Sequence, residues 1–527
     1  MNNEPEIKSL KRQSTSFGFL SSIFKPLYSW YIPTDLESAE LSEKKLLLSG
    51  NVLPIYHPDT AGSKFNESDT HSQNVTLADS ENPKLNAEIV NIEIGEDRYI
   101  RTLIIRTNRS EKDSSQNSDI AKDQSTETGS SENWLVICHG FGTGLGFYFK
   151  NYEELSKLPN TNICAIDWLG MGLSARPEFH VDKKLEIKEL VSNTEEFFVE
   201  SLEQWRIKMN IEKMILLGHS FGGYMSSLYA LKYPSCIKKL ILESPVGLQE
   251  TPEYMDDFLA TGDMTKLKEH PFAESSSDDI ESENTSHKEE SNDKSSDESK
   301  PESDVKENNS SDLKSVSSSI SNQKTTASTN EEEQEIKPKK QIDFKKIQED
   351  RSKAIRERIK SADSKPHYRF LVKTFIKLWN QKYSSPQSLV RYAGPYGRNM
   401  VTRYISKFQT LEDSERTLLA SYMYHISAQP SSSERAISII LKPLAYARFP
   451  LIKRIDSLIV PTTFMYGDSD WMDYNAGKQL TELIKAPTHI YKLPNSGHNM
   501  HIDNPPAFND VIYKILFTED SESDLNP

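Results

Sequence analysis

The stretch MILLGHSFGGYMSSLYALKYP, residues 214–234, decides the fold. It opens with a short apolar run of the kind found in strands buried on both faces. Gly-x-Ser-x-Gly follows at 218–222, and a helical pattern begins at once and runs to residue 232. A strand, a turn too tight for side chains at Gly218 and Gly222, and a helix form the setting that forces a serine into a strained backbone with its hydroxyl exposed. Ser220 is therefore the candidate nucleophile. The helix starts directly after it, so its dipole and free N–H groups favour negative charge there. The competing reading is a chance glycine-rich turn, and the flanking strand and helix weigh against it.

Similar apolar runs lie on both sides: WLVIC (134–138), NICAID (162–167), KLILES (239–244), TTFMYG (462–467) and HIYKL (489–493). Residues 86–107 instead alternate apolar and polar, which reads as an antiparallel hairpin. Helical patterns at 184–209 and 221–232 separate several of the runs. Strands alternating with helices predict an α/β fold with a mostly parallel central sheet. The strand series pauses after Ser244 and resumes near residue 455. The expected plan is an N-terminal segment (1–84), a first core part (85–250), an acidic Ser-rich insert expected to be disordered (265–340), a helical cap (341–450) and a second core part (451–520).

A serine in such a turn is inert without a base, an orienting acid and donors for the oxyanion. HGFGTGLGFY (139–148) ends one strand and offers the backbone N–H of Phe141, to pair with that of Phe221 after the nucleophile. YGDSDWMD (466–473) ends another. Asp470, three residues after the glycine, is the expected acid. Asp473 is the alternative, and Asp468 reads as a turn residue. SGHNMHID (496–503) follows the last strand, so His498 is the expected base, in the chain order serine, aspartate, histidine. His501 is expected to pack or face solvent. A zinc site needs more ligands than this stretch supplies, and no metal or cofactor is expected.

The net charge is −15, but residues 271–340 contribute 18 acidic against 9 basic side chains, so the acidity says little about the active surface. Three cysteines, Cys138, Cys164 and Cys236, have no metal spacing and read as buried small hydrophobes in a reducing compartment. No uninterrupted apolar run of about 18 residues suggests a membrane span. FGFLSSIFKPLYSWYI (17–32) reads equally as an interfacial anchor or as a segment packed on the fold.

Taken together, HGFGTGLGFYFKNYEEL, DWLGMGLSARPEF (167–179), GHSFGGYMSSLYALKYP, YGDSDWMD and GHNMHIDNP resemble one α/β-hydrolase subfamily. It contains fungal cardiolipin-specific deacylases, related yeast lysophosphatidic acid acyltransferases and the animal lipid-droplet lipolysis coactivator. The likeness covers roughly 130–250 and 370–510. The subfamily's His-x4-Asp motif is matched by His498 and Asp503. It has been read as an acyltransferase signature, but His498 is already committed to the triad, and Asp503 is expected to cap the next turn. In the coactivator branch the elbow serine is replaced, so Ser220 implies a catalyst.

Residues 351–382 hold ten Lys or Arg and two acidic residues. A cationic amphipathic cap with Lys373, Lys377 and Trp379 suits an anionic membrane surface. The alternative is a solvated helix covering the active site. No nucleic-acid motif accompanies the charge. The resemblance implies a phospholipid acyl hydrolase, cardiolipin first, peripheral on the mitochondrial inner membrane, with a cytoplasmic or lipid-droplet location as the alternative. A lysophosphatidic acid acyltransferase and a non-catalytic scaffold are the competing functions.

Overall fold

The computed structural model describes residues 34–56, 85–106, 133–182, 184–263, 366–382 and 385–517. The stretch 17–32, the insert 265–340 and the basic residues up to 365 lie outside them, as does nearly all of the loop at 108–133.

Strands β1 (Val52–Tyr56), β2 (Leu85–Gly95), β3 (Arg98–Ile105), β4 (Asn133–Cys138), β5 (Thr161–Ile166), β6 (Met214–His219), β7 (Ile237–Glu243), β8 (Thr462–Gly467) and β9 (Thr488–Leu493) form one sheet in the order β1-β2-β3-β5-β4-β6-β7-β8-β9. β2 and β3 make the expected antiparallel hairpin, and β3 also runs antiparallel to β5. The six strands from β5 to the β9 edge are parallel. The order reverses at β4, and open α/β sheets bind ligands beyond the strand carboxyl ends at such a point.

Successive strand residues face opposite sides of the sheet. Val136, Cys138, Leu216, Leu240, Leu242 and Phe464 face one core, which holds Phe198, Leu202 and Trp205 of α2 (Ile187–Lys208) and Tyr224 and Met225 of α3 (Phe221–Lys232). Leu135, Ile137, Ile215, Leu217, Ile241 and Met465 face the other. Both sides are covered, which is why these strands read as continuous apolar runs; β6 and β8 are buried along their whole length. Cys138 and Cys164 are buried as expected, whereas Cys236 is half-buried.

Helices fill the connection from β7 to β8: α4 (Glu253–Thr261), α5 (Pro366–Asn380), α6 (Pro386–Tyr392), α7 (Pro395–Ile405), α8 (Asp413–Ala428) and α9 (Ala436–Ile440). Their starts follow local chemistry. Ser385 and Ser388 cap α6 reciprocally, with Pro386 in its first turn, and Glu412 and Glu415 do the same for α8. After β8 come α10 (Tyr474–Leu483), the one-turn α11 (Met500–Asp503) and α12 (Pro505–Phe517).

The N-terminal segment contributes more than the sequence reading assigned to it. Helix α1 (Leu36–Ser49) and β1 belong to the fold. Ala39 and Leu46 of α1 pack with Phe147, Leu419, Tyr422 and Ile426 under the cap. Its buried Glu40 and Glu43 meet Arg101 of β3 at 3.1 and 2.8 Å. The buried guanidinium and carboxylates satisfy each other's charge, the condition for burying either.

Candidate active site

Four neighbouring strands deliver the site from their carboxyl ends. Ser220 follows β6 with φ 54° and ψ −114°, a conformation that L-residues rarely adopt. The surrounding bonds hold it there: its N–H donates to Glu243 O (2.9 Å), and its carbonyl accepts from Tyr224 N (3.1 Å) and Val246 N (3.2 Å). The turn leaves no room for side chains beside it. A Cβ on Gly218 would lie 2.5 Å from Gly222 O, and one on Gly222 would lie 2.4 Å from Cys138 O.

His498, in the loop after β9, places Nε2 3.0 Å from Ser220 Oγ. Its Nδ1 lies 3.1 Å from Asp470 Oδ1, beyond β8. That carboxylate also accepts from Met472 N (3.0 Å) and, through a short bond to Oδ2, from the Ser244 hydroxyl that follows β7. Burial alone would raise the Asp470 carboxyl; His498, the Met472 amide and Ser244 more than offset this and hold it below the usual carboxylate value. Asp470 is thus ionised at neutral pH, able to fix the imidazole with Nδ1 protonated and Nε2 free to accept the serine proton.

The spacing left two aspartates open, and the structure separates them. Asp473 accepts from Asn475 N at 2.9 Å and caps α10. Asp468 accepts from Asn495 N and Ser496 N, tying the β8 turn to the His498 loop.

Phe141 and Phe221, the residues whose N–H groups are the candidate oxyanion donors, border the same cavity as Ser220 and His498. The cavity measures about 440 Å³. The neighbouring His139 shapes the Phe141 loop: its Nε2 accepts from Trp168 N (3.1 Å), and its carbonyl accepts from the Trp168 indole N–H (3.0 Å). Burial pushes its pKa down to about 4, so it stays neutral.

Two expectations need correction. Trp379 does not face outward: it is buried, donates its indole N–H to Leu441 O (2.9 Å) and lines the cavity. The helix phase that exposes Lys373 and Lys377 turns residue 379 inward. Asp503 does not cap the next turn. It closes α11 and accepts from Gly497 N at 2.9 Å, steadying the loop of the base; burial pushes its pKa up to about 6. Of the two places left open for His501, packed or facing solvent, the structure shows the first: it is buried against Glu243, Nδ1 to Oε1 2.7 Å.

Sequence reasoning passed over Trp471, whose ring lies 4.8 Å from that of His498, and over Lys407, Phe408, Ile437 and Leu441 on the cavity wall. Trp471 adjoins Asp470 and could have been flagged by that position; the cap residues carry no local signal.

Among the described residues, His219, Glu243 and His501 bring potential ligand atoms within 4.8 Å of one another. Glu243 already accepts from His501 Nδ1 and from the Tyr148 hydroxyl (2.7 Å), while His501 Nε2 is buried with no hydrogen-bond partner among the described residues.

A serine in a strand–turn–helix elbow, with base and acid delivered by later strands of a mostly parallel sheet, defines an α/β hydrolase. The chain belongs to the α/β-hydrolase fold family, whose sequence model matches residues 133–505. Its relatives carry lipid-acting names. A probable 1-acylglycerol-3-phosphate O-acyltransferase of Oryza sativa is 28% identical over 386 residues, which cover 72% of this chain and 66% of the rice protein, just under two thirds of its length. The 1-acylglycerol-3-phosphate O-acyltransferase ABHD5 of Rattus norvegicus is 25% identical over 74% of this chain and 79% of its own. A (lyso)-N-acylphosphatidylethanolamine lipase of Bos taurus is 25% identical over 73% and 80%.

Proposed function

We propose that the protein is a serine lipid hydrolase that removes an acyl chain from a phospholipid, with cardiolipin going to monolysocardiolipin and a fatty acid. The observation that carries this reading is the Ser220–His498–Asp470 chain opening on a cavity lined by Phe141, Phe221, Val246, Trp379, Phe408 and Ile437. Ser220 Oγ attacks the ester carbonyl carbon while His498 Nε2 takes the hydroxyl proton. The N–H groups of Phe141 and Phe221 receive the oxyanion. The bond from carbonyl carbon to glycerol oxygen breaks, the proton passes from His498 to the leaving alkoxide, and the acyl group stays on Ser220. Water, deprotonated by the same imidazole, then releases the fatty acid and restores the serine.

The cap supports an anionic bilayer as partner. Helix α5 leaves Phe370, Leu371, Phe375 and Leu378 exposed at 69, 59, 42 and 43%, beside exposed Lys373 and Lys377. Residues 364–411 contain nine Lys or Arg and no Asp or Glu, within a chain of net charge −15; of the nine, Arg391 is buried against Glu434 and adds nothing to the outer face. A basic and apolar outer face, on a helix whose inner side lines the cavity, suits withdrawal of a lipid from a membrane surface. With cardiolipin as substrate, the protein would work peripherally on the mitochondrial inner membrane; a neutral-lipid or lysolipid substrate would instead fit the cytoplasm or a lipid droplet.

A second reading is favoured by the names of the rice and rat relatives. An acyl group from acyl-CoA, carried on Ser220, would pass to the hydroxyl of lysophosphatidic acid instead of water. A non-catalytic scaffold is a third reading, and the complete Ser-His-Asp set counts against it.

The test is mass spectrometry of products from mixed liposomes of cardiolipin, phosphatidylethanolamine and phosphatidylcholine, with and without lysophosphatidic acid and acyl-CoA, beside Ser220→Ala. Monolysocardiolipin and free fatty acid are expected, and the variant should lose at least about 10³-fold in rate. Phosphatidic acid formed only with acyl-CoA would replace hydrolysis by acyl transfer.

A further inference from the structure

Several side chains buried behind His498 have no part in the chemistry above. His219 is 3% exposed, His501 1% and Glu243 not at all. Glu243 accepts from His501 Nδ1 and from the Tyr148 hydroxyl, each at 2.7 Å. The Tyr148 and His501 rings stack at 4.2 Å. Burial alone would raise the Glu243 carboxyl, but His501, His219 and the two hydrogen bonds hold it down at about 2. His501 is thereby fixed at one edge and one face.

His219 stands between this cluster and the base, its ring 4.9 Å from that of His498 and 5.0 Å from that of His501. Its Nε2 lies 3.0 Å from the carbonyl of His498. A carbonyl can only accept, so Nε2 carries a proton and donates. Burial pushes the pKa of His219 down to about 3, so the ring is neutral across the working pH range. The fit is close on its other side as well: a Cβ on Gly140 would lie 2.6 Å from His219 Nδ1.

Ser220 and His498 belong to segments 278 residues apart. The loop carrying His498 has no regular structure, and its geometry rests on a few bonds. Asp468 holds Asn495 and Ser496, Asp503 holds Gly497, Asp470 holds the imidazole, and His219 holds the main chain of His498 itself. His219 is also the residue before the nucleophile, so this bond spans from the elbow to the loop of the base.

We infer that His219 is a positioning residue: its Nε2–H clips the loop of the base to the nucleophile elbow, and the Tyr148–Glu243–His501 chain braces the clip from behind. The inference rests on the hydrolase reading of Ser220. A misplacement of about 1 Å between reacting groups can cost on the order of 100-fold in rate, and the Ser220–His498 distance is what the clip controls.

The test compares His219→Phe, which keeps a ring and loses the donor, with His219→Gln, whose amide nitrogen can replace Nε2. Full-length protein is used, with a soluble p-nitrophenyl ester for kcat and KM, a fluorophosphonate probe for labelling of Ser220, and a melting curve for each variant. His219→Phe is expected to lower kcat by about 10- to 100-fold with little change in KM, and His219→Gln to recover most of the loss at a similar Tm. His219→Met, also without a donor, takes the place of the phenylalanine variant if that one does not fold. Labelled wild type with glutamine and donor-free variants equally active, or equally slow, overturns the clip alone. Wild type that is not labelled overturns the hydrolase reading, and the clip with it.

Discussion

Every residue from Met214 to Ala230, the strand, elbow and helix around Ser220, is buried. Across the same cavity, the described side chains of α5 are mostly exposed or half-buried, with Ile376 and Trp379 buried. The elbow is shaped by contacts on all sides, down to the 2.4 Å that excludes a Cβ at Gly222. The cap helix is shaped on one side by packing, with Ile376 against Met255, Phe258 and Leu259, and on the other by whatever it meets outside. Bond-making is thus assigned to the region with least freedom, and access to the region with most. Substitutions on the two sides should consequently fail in different ways.

The largest expected effect separates the two aspartates on the elbow side. Asp470→Asn should lower kcat by about 10³- to 10⁴-fold, because the imidazole loses the partner that fixes its tautomer. Asp473→Asn should leave kcat nearly unchanged, since asparagine caps a helix as well as aspartate. Steady-state kinetics on a soluble ester decides, and equal losses in both variants would erase the distinction drawn from geometry. A smaller effect is expected on the cap side. Each surface-proximal cation adds about 1 kcal/mol to binding of an anionic bilayer, so Lys373→Glu with Lys377→Glu should weaken binding at least ~30-fold. Liposome cosedimentation measures this, and turnover of the soluble ester should not change. If the ester reaction falls as well, the cap takes part in the chemistry and the contrast between the regions is lost.

The smallest expected effect concerns stability. Burial raises Asp503 to about 6, above its value in an unfolded chain, so the folded state binds this proton more tightly. Its contribution to stability is present below the unfolded pKa, near 3.9, and is lost as pH rises through about 6. Asp503→Asn removes that loss. The Tm of the variant relative to wild type should rise between pH 4 and 7 and then level off; a constant difference would mean that the carboxyl titrates normally.

How much was legible in the sequence follows the range of the interactions involved. The hairpin, the parallel strands and the elbow were readable because each is a local pattern, such as alternation, an apolar run or glycines at fixed spacing. Ser220, Asp470 and His498 could be named because each follows a strand end, and the structure brings these three together. Helix α1 was not readable. Its buried Glu40 and Glu43 look like solvated charges until Arg101, 61 and 58 residues away, is placed beside them. Trp379 was assigned to the wrong side because an apolar and basic helix does not reveal which of its aromatic residues turns inward. Asp503 was misread because its partner, Gly497 N–H, lies behind it in a loop with no regular pattern.

The backbone of Ser220 has a consequence for descent. At φ 54° and ψ −114° a non-glycine residue carries on the order of 1–3 kcal/mol of strain, and the fold retains it only while the hydroxyl is useful there. Glycine at that position would shed strain and chemistry together. A gene copy released from selection for turnover therefore has a route to a more stable, silent protein with the cavity and cap unchanged. Catalytic loss in such a lineage would leave a well-folded lipid-binding surface free to acquire another use.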